Sequence, residues 1–249
     1  MSSVPKGFKW DEPNNGLRLG RFMKPMIVAV DGPAGSGKSS VCAKVCEKIG
    51  WTYVNAGFLY RAVALLAMRK EADLKDEASL LGVTKDFAEN HRWEPSEGAL
   101  YYKDENITAL LSGREVGLGA SSVALLPSIR EHLLPVQRSL GLACPVGAIV
   151  DGRDIGTVVF PDADLKIFMT ASLAQRALRR QAQLNDKPQN LAEIEQEIAS
   201  RDEQDAERST APLKCAEDAV VLDTSDMGVD ASIDTLIGIL EKHRLLQSN

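Results

Sequence analysis

Histidine is almost missing from this chain, with three in 249 residues, and cysteine is hardly commoner at four. No C-x-x-C pair occurs, which argues against the common zinc sites and a disulfide-stapled scaffold. Cys42 and Cys46 stand four apart in a helical pattern, too far for easy bridging, so the cysteines read as reduced, buried thiols of a cytoplasmic protein. No apolar run approaches the roughly 18 residues that a membrane span requires. An excess of positive charge is lacking too: 29 Lys and Arg face 35 Asp and Glu, for a net charge of −6. Nucleic acid and anionic membranes need a positive field, so neither is an expected partner. A small anion held by a few clustered arginines remains compatible with that balance.

What is present suits a globular chain. Hydrophobic residues make up 44% and charged residues 26%, and the length suffices for one large domain or two modest ones. Residues 1–24 mix Pro5, Gly7, Pro13 and Gly16 with basic side chains, follow no helical or strand period, and carry no apolar secretory core. They read as a flexible N-terminal extension ahead of a domain over 25–249. Met26 to Val30 is a short apolar run ending in Asp31 and a glycine-rich turn, the pattern of a buried parallel strand. Trp51–Val54, Gly147–Asp151, Leu165–Met169 and Ala219–Asp223 repeat that signature, with helical stretches such as Lys38–Ile49 between them. Five strands alternating with helices predict an α/β fold, a five-stranded parallel sheet flanked by helices. Residues 82–117, with Trp93, Leu100, Tyr101, Tyr102 and Ile107, read as a small β-rich insertion. Residues 176–208 read as a charged helical insertion, broken near Asn185-Asp186-Lys187-Pro188.

Gly32-Pro33-Ala34-Gly35-Ser36-Gly37-Lys38-Ser39 fits G-x-x-x-x-G-K-[ST] at every fixed position, between a predicted strand and a predicted helix. Glycines let successive N–H groups turn inward on phosphate oxygens at the positive end of the helix. Lys38 can reach the β- and γ-phosphates, and Ser39 can offer its hydroxyl to Mg²⁺. With Ser40, these residues form the expected ATP site. The D-x-x-G and [NT]-K-x-D patterns of a GTPase do not occur, and Ile149-Val150-Asp151 runs on into Gly152 rather than ending in Asp-Glu as a motor ATPase would. Phosphoryl transfer to a small acceptor is the class that remains.

Asp151-Gly152-Arg153-Asp154 lies at the carboxyl end of a predicted strand, where open α/β sheets bind ligands. Arg176, Arg179 and Arg180 fall at i, i+3 and i+4, and Arg201, Asp205 and Arg208 at i, i+4 and i+7. Either stripe alone would suit a solvated helix. Two in an acidic chain with a P-loop point to phosphates, since crowded guanidinium groups repel until an oxyanion sits between them.

These motifs resemble bacterial-type cytidylate kinase, a P-loop nucleoside monophosphate kinase. The resemblance spans about residues 26–240 and rests on Val30–Ser39, Ala56-Gly57-Phe58-Leu59-Tyr60-Arg61, Asp151–Pro161, Arg201-Asp202 and Arg208–Leu213. It implies transfer of the γ-phosphoryl group of ATP to CMP or dCMP by a cytoplasmic monomer that uses Mg²⁺. The insertion at 82–117 would be a monophosphate-binding part and 176–208 a mobile lid. By the same resemblance Ser121, Arg201 and Asp205 hold the acceptor's sugar, Arg61 and Arg153 its phosphate, and Arg130, Asp154 and Arg208 surround the cytosine. Arg176, Arg179 and Arg180 would close over ATP and, with Lys38 and Arg153, serve catalysis. The chain departs from the family's Asp-[Ser/Thr]-Gly at Asn55-Ala56-Gly57, and an arginine usual near the end of the insertion is offset to Arg114. A kinase of UMP or shikimate, or a non-catalytic nucleotide-binding regulator, are the rival readings; the 82–117 insertion and the Asp151–Pro161 run disfavour the former, intact Lys38 and arginines the latter.

Overall fold

The computed structural model describes residues 24–183, 190–243 and 245. The expected N-terminal extension, but for Lys24, and the helix break at 185–188 lie outside them. The chain opens with β1 (Met26–Asp31), α1 (Lys38–Ile49), β2 (Thr52–Asn55), α2 (Gly57–Arg69) and α3 (Glu77–Asn90). Then come β3 (His91–Glu94), β4 (Ala99–Tyr102) and β5 (Glu105–Asn106), a 3₁₀ turn at Thr108–Ser112, α4 (Arg114–Val123) and α5 (Pro127–Leu142). β6 (Gly147–Gly152), a π turn at Ile155–Val159, β7 (Leu165–Thr170) and α6 (Leu173–Gln183) follow. The remainder is α7 (Leu191–Glu207), β8 (Val220–Asp223) and α8 (Val229–Lys242).

The main sheet is parallel throughout, in the order β2–β6–β1–β7–β8. Its central strand is apolar from Met26 to Val30 because both faces are covered. Ile27 and Ala29 meet α2, α3 and α5 in one core, whereas Val28 and Val30 meet α1 and α8 in the other. Each fully buried Ile or Val side chain contributes roughly 1.5–3 kcal/mol. The expected five-stranded α/β architecture is the one observed.

The stretch 82–117 is less β-rich than its aromatic residues suggest. Strands occupy only 91–106, as the antiparallel sheet β3–β4–β5. Before them α3 starts at Asp76, whose carboxylate accepts from Ala78 N and Ser79 N, and it buries Leu80, Val83, Thr84 and Phe87 at helical spacing. Among the thiols, Cys42, Cys46 and Cys144 are buried and unpaired, but Cys215 is exposed. It lies in the irregular stretch between α7 and β8, which no packed face covers. No helix among the described residues is long and apolar enough to cross a membrane.

Asp31 ties the loop after β6 to the central strand. Its buried carboxylate accepts from Ile155 N at 2.8 Å and Gly156 N at 2.7 Å. Burial outweighs these two donors and raises its pKa from 3.8 to about 6. The folded chain therefore holds this proton more tightly than the unfolded chain between those values, so Asp31 adds stability as pH falls through that window. In Asp31→Asn the titration is gone. Urea unfolding should show the wild-type advantage over the variant widening by up to about 1.4 kcal/mol per unit as pH drops from 6 towards 4. An advantage that shrinks with acidity would mean that the amide bonds, not burial, govern the carboxyl.

Candidate active site

The carboxyl ends of β1, β2 and β6 open into one cavity of about 810 Å³, roofed by α6 and α7 and flanked by α4 and α5. The P-loop forms one end. A Cβ on Gly32, at φ +150°, would stand 2.0 Å from the Met169 carbonyl oxygen, so only glycine lets the loop leave β1 beside β7. Ala34 to Ser40 line the cavity; Gly32 and Pro33 instead turn their carbonyls to Lys38, whose Nζ donates to both at 2.8 Å and to Ser36 Oγ at 3.2 Å. Burial, and then the nearby Arg153, pull the Lys38 pKa from 10.5 down to about 7. Its charge is thus weakly held until an anion at the loop mouth restores it.

Ser39 Oγ donates to Asp151 Oδ2 at 2.8 Å, joining the first turn of α1 to the end of β6. Tyr53 OH donates to the same oxygen at 2.9 Å. A hydroxyl and a carboxylate side by side are hard oxygen donors. They suit Mg²⁺, which takes one or two protein oxygens and keeps its waters. Among the described residues no group of three or more His, Cys, Asp or Glu is placed to cage a metal ion. The sequence places Asp151 at a ligand-binding strand end, and the apolar strand ending in that acid is the signal for its place beside Ser39, although Gly152 follows it.

The three arginines expected in the lid, equivalent by spacing, have different surroundings. Arg176 does not line the cavity. It is buried, donating to Ala34 O, Ala171 O and Asp202, while Asp202 also accepts from Ala34 N. Arg179 donates to Ser36 O, Thr224 and Met227 O and reaches the cavity wall beside the P-loop. Arg180 faces the cavity at its far side. Asp202 held no evident role in the sequence, since its partner Arg176 is 26 residues away and on another helix.

Arginines gather at the opposite end from the P-loop. Arg61 donates to Leu111 O at 2.7 Å across Gly117, where a Cβ would come within 3.0 Å of the guanidinium. Burial, then Arg201, Arg180 and Arg153 in turn, hold the Arg61 pKa below its ordinary value. Arg201 is depressed by burial and by Arg153. Its Nη2 donates to Ser121 Oγ at 3.1 Å, and Arg153 Nε donates to Asp205 Oδ2 at 2.8 Å. Four cations thus share one partly desolvated region. Deeper in, Asp154 is buried between Arg130, whose Nη2 donates to it at 2.5 Å, and Arg208 at 3.3 Å. Arg130 also lies 5.3 Å over the Tyr60 ring. Asn55 Oδ1 accepts from Gly57 N, Ala56 faces the cavity with its methyl, and Arg114 stands exposed, 3.6 Å from Glu197. All eight positions expected for the acceptor line this one cavity: Arg61, Ser121, Arg130, Arg153, Asp154, Arg201, Asp205 and Arg208.

The family model for cytidylate kinase matches residues 28–242. The cytidylate kinase of Shouchella clausii is 40% identical over 223 residues, covering 88% of this chain and 98% of its own. That of Pseudomonas aeruginosa strain LESB58 is 40% identical over 224 residues, covering 88% and 96%. The Aeromonas salmonicida cytidylate kinase is 38% identical over 218 residues, covering 87% and 94%.

The mutual repulsion of the arginines is open to direct test with inorganic phosphate. Arg61→Met keeps the stem and removes the charge. Without phosphate its melting temperature should equal or exceed that of wild type. Phosphate affinity, read from the rise of that temperature with phosphate concentration, should fall at least about 10-fold. A variant as responsive to phosphate as wild type would remove Arg61 from the anion site.

Proposed function

The chain belongs to the cytidylate kinase family and passes the γ-phosphoryl group of ATP to CMP or dCMP, and we propose that it does so with the P-loop as donor site and the arginine cluster as acceptor site. The observation that carries this assignment is the convergence of Arg61, Arg153, Arg180 and Arg201 on a cavity whose other end is the P-loop. Two anion sites face each other across one shared cavity, as transfer between two phosphates requires.

The acceptor phosphate is itself the nucleophile. One of its oxygens bonds to the γ-phosphorus as the bond from that phosphorus to the β-bridging oxygen breaks, and ADP leaves with the electron pair. The oxygen is already ionised near neutral pH, so no strong general base is needed, which suits a site built of arginine rather than histidine. Arg61 and Arg153 orient the acceptor phosphate; Arg201, Ser121 and Asp205 hold its sugar. Lys38 and the lid residues Arg179 and Arg180 neutralise charge growing on the transferring group. Arg176 supports the lid by holding Asp202 and the P-loop carbonyl of Ala34. Ser39 and Asp151 would hold Mg²⁺, which supplies charge neutralisation on the donor phosphates when bound. Asp154, held by Arg130 and Arg208, presents a fixed carboxylate to the amino group of cytosine, where uracil would present a carbonyl. Ala177, Ile194 and Ile198 pack α6 on α7, so the roof excludes water as a unit. We take the enzyme to be a monomer, and to be cytoplasmic in keeping with its three buried, unpaired thiols.

Lys38→Ala should leave the protein folded and lower turnover about 10²-fold or more, because Lys38 acts on developing charge. More than about a tenth of wild-type turnover would be incompatible with that role. Arg153→Ala and Arg201→Ala should each raise the KM for CMP about 10- to 150-fold with the KM for ATP unchanged. An equal loss on the ATP side would assign these arginines to the donor site or to the fold. Ala56→Ser, restoring a hydroxyl at the cavity wall, should widen the CMP over UMP ratio of kcat/KM by about 2- to 12-fold. An unchanged ratio would show that the methyl position lies away from the base.

A further inference from the structure

β2 carries no residue of the donor or acceptor sets derived above, yet one of its side chains reaches the end of β6. In the parallel ladder Tyr53 pairs with Ile149 and Asn55 with Asp151, so Tyr53 and Asp151 point to the same face of the sheet, two register positions apart. That is the face covered by α1, which begins at Lys38 and carries Ser39. From there the half-buried Tyr53 sends its hydroxyl to Asp151 Oδ2 at 2.9 Å, the oxygen that Ser39 Oγ reaches at 2.8 Å. Asp151 is itself buried at the end of its strand, so its carboxylate has little water to fix its orientation. Two hydroxyls therefore set the carboxylate plane.

We propose that Tyr53 is a positioning residue for the donor-side metal: its hydroxyl holds Asp151 in the orientation that, together with Ser39, receives Mg²⁺. This rests on the assignment of Ser39 and Asp151 to the metal. Both donors engage Oδ2, which leaves Oδ1 as the oxygen that would serve the cation. The phenol ring packs in the core beside α1. A hydroxyl that reached Asp151 from a surface loop would pay more entropy for the same bond. Here the ring is already fixed by packing, so the hydrogen bond comes preorganised.

The test is calorimetric binding of a non-hydrolysable ATP analogue to the full-length protein, with Mg²⁺ and again with EDTA. The ratio of the two Kd values isolates the contribution of the metal from that of the phosphate loop. Tyr53→Phe keeps the ring and removes the hydroxyl. The EDTA Kd should be unchanged, whereas the ratio should fall about 10-fold, the usual scale for loss of an outer partner of a metal ligand. If both Kd values move together, or neither moves, Tyr53 serves packing only and the proposal fails. Asp151→Asn separates that failure from a deeper one. If the ratio collapses in Asp151→Asn but survives in Tyr53→Phe, the metal assignment stands and Tyr53 is excluded. If the ratio survives in Asp151→Asn as well, the metal does not use this carboxylate and both readings fall.

Discussion

Like charges brought together in a half-desolvated cleft cost free energy until an oxyanion comes between them, and the arginine-lined end of the cavity is organised by that cost. After burial, the charges of Arg201, Arg180 and Arg153 hold the Arg61 pKa down, and Arg153 and Arg180 bear on Arg201 in the same space. A protein of net charge −6 has no general attraction for phosphate, so its affinity must come from this local density of guanidinium groups. Carboxylates then decide which arginines stay available. Asp205 and Asp154 engage Arg153, Arg130 and Arg208, which fixes their orientation and tempers the repulsion. Arg61 meets a backbone carbonyl instead, and keeps its charge for a ligand.

The end of β6 serves both halves at once. Asp151 points to the α1 side, beside Ser39 and Lys38, which we assign to the donor phosphates. Arg153 and Asp154, two and three residues on, turn to the acceptor side. Asp31 holds the following turn by the amides of Ile155 and Gly156, so the distance between the two sites is set by the central strand. Transfer between two phosphates depends on that distance more than on any single contact. The second tie is Asp202, which links the helix bearing Arg201 and Asp205 to the P-loop amide of Ala34.

Local signals were the ones legible in the sequence. The P-loop, the five strands and the Asp151–Asp154 corner are each defined within a few residues, where periodicity and glycine placement act directly. Arg176, Arg179 and Arg180 show the limit of such signals. Their spacing made them equivalent, but Asp202 on another helix engages the first, Thr224 the second, and the third stays on the cavity. Tyr53 likewise reads as an ordinary strand aromatic until the register of β2 against β6 sets it beside Asp151. The helix α3 was hidden by the aromatic residues of the strands after it, although Asp76 and the run Leu80, Val83, Phe87 mark its start and its buried face.

The pairing of a P-loop with a cytosine-reading acceptor site is tested most directly by ATP turnover against a panel of acceptors: CMP, dCMP, UMP, AMP and shikimate. ADP formation should depend on CMP or dCMP, with UMP a poorer acceptor and negligible turnover with AMP or shikimate. Turnover that favours UMP or shikimate over CMP, or that runs equally without any acceptor, would contradict the account.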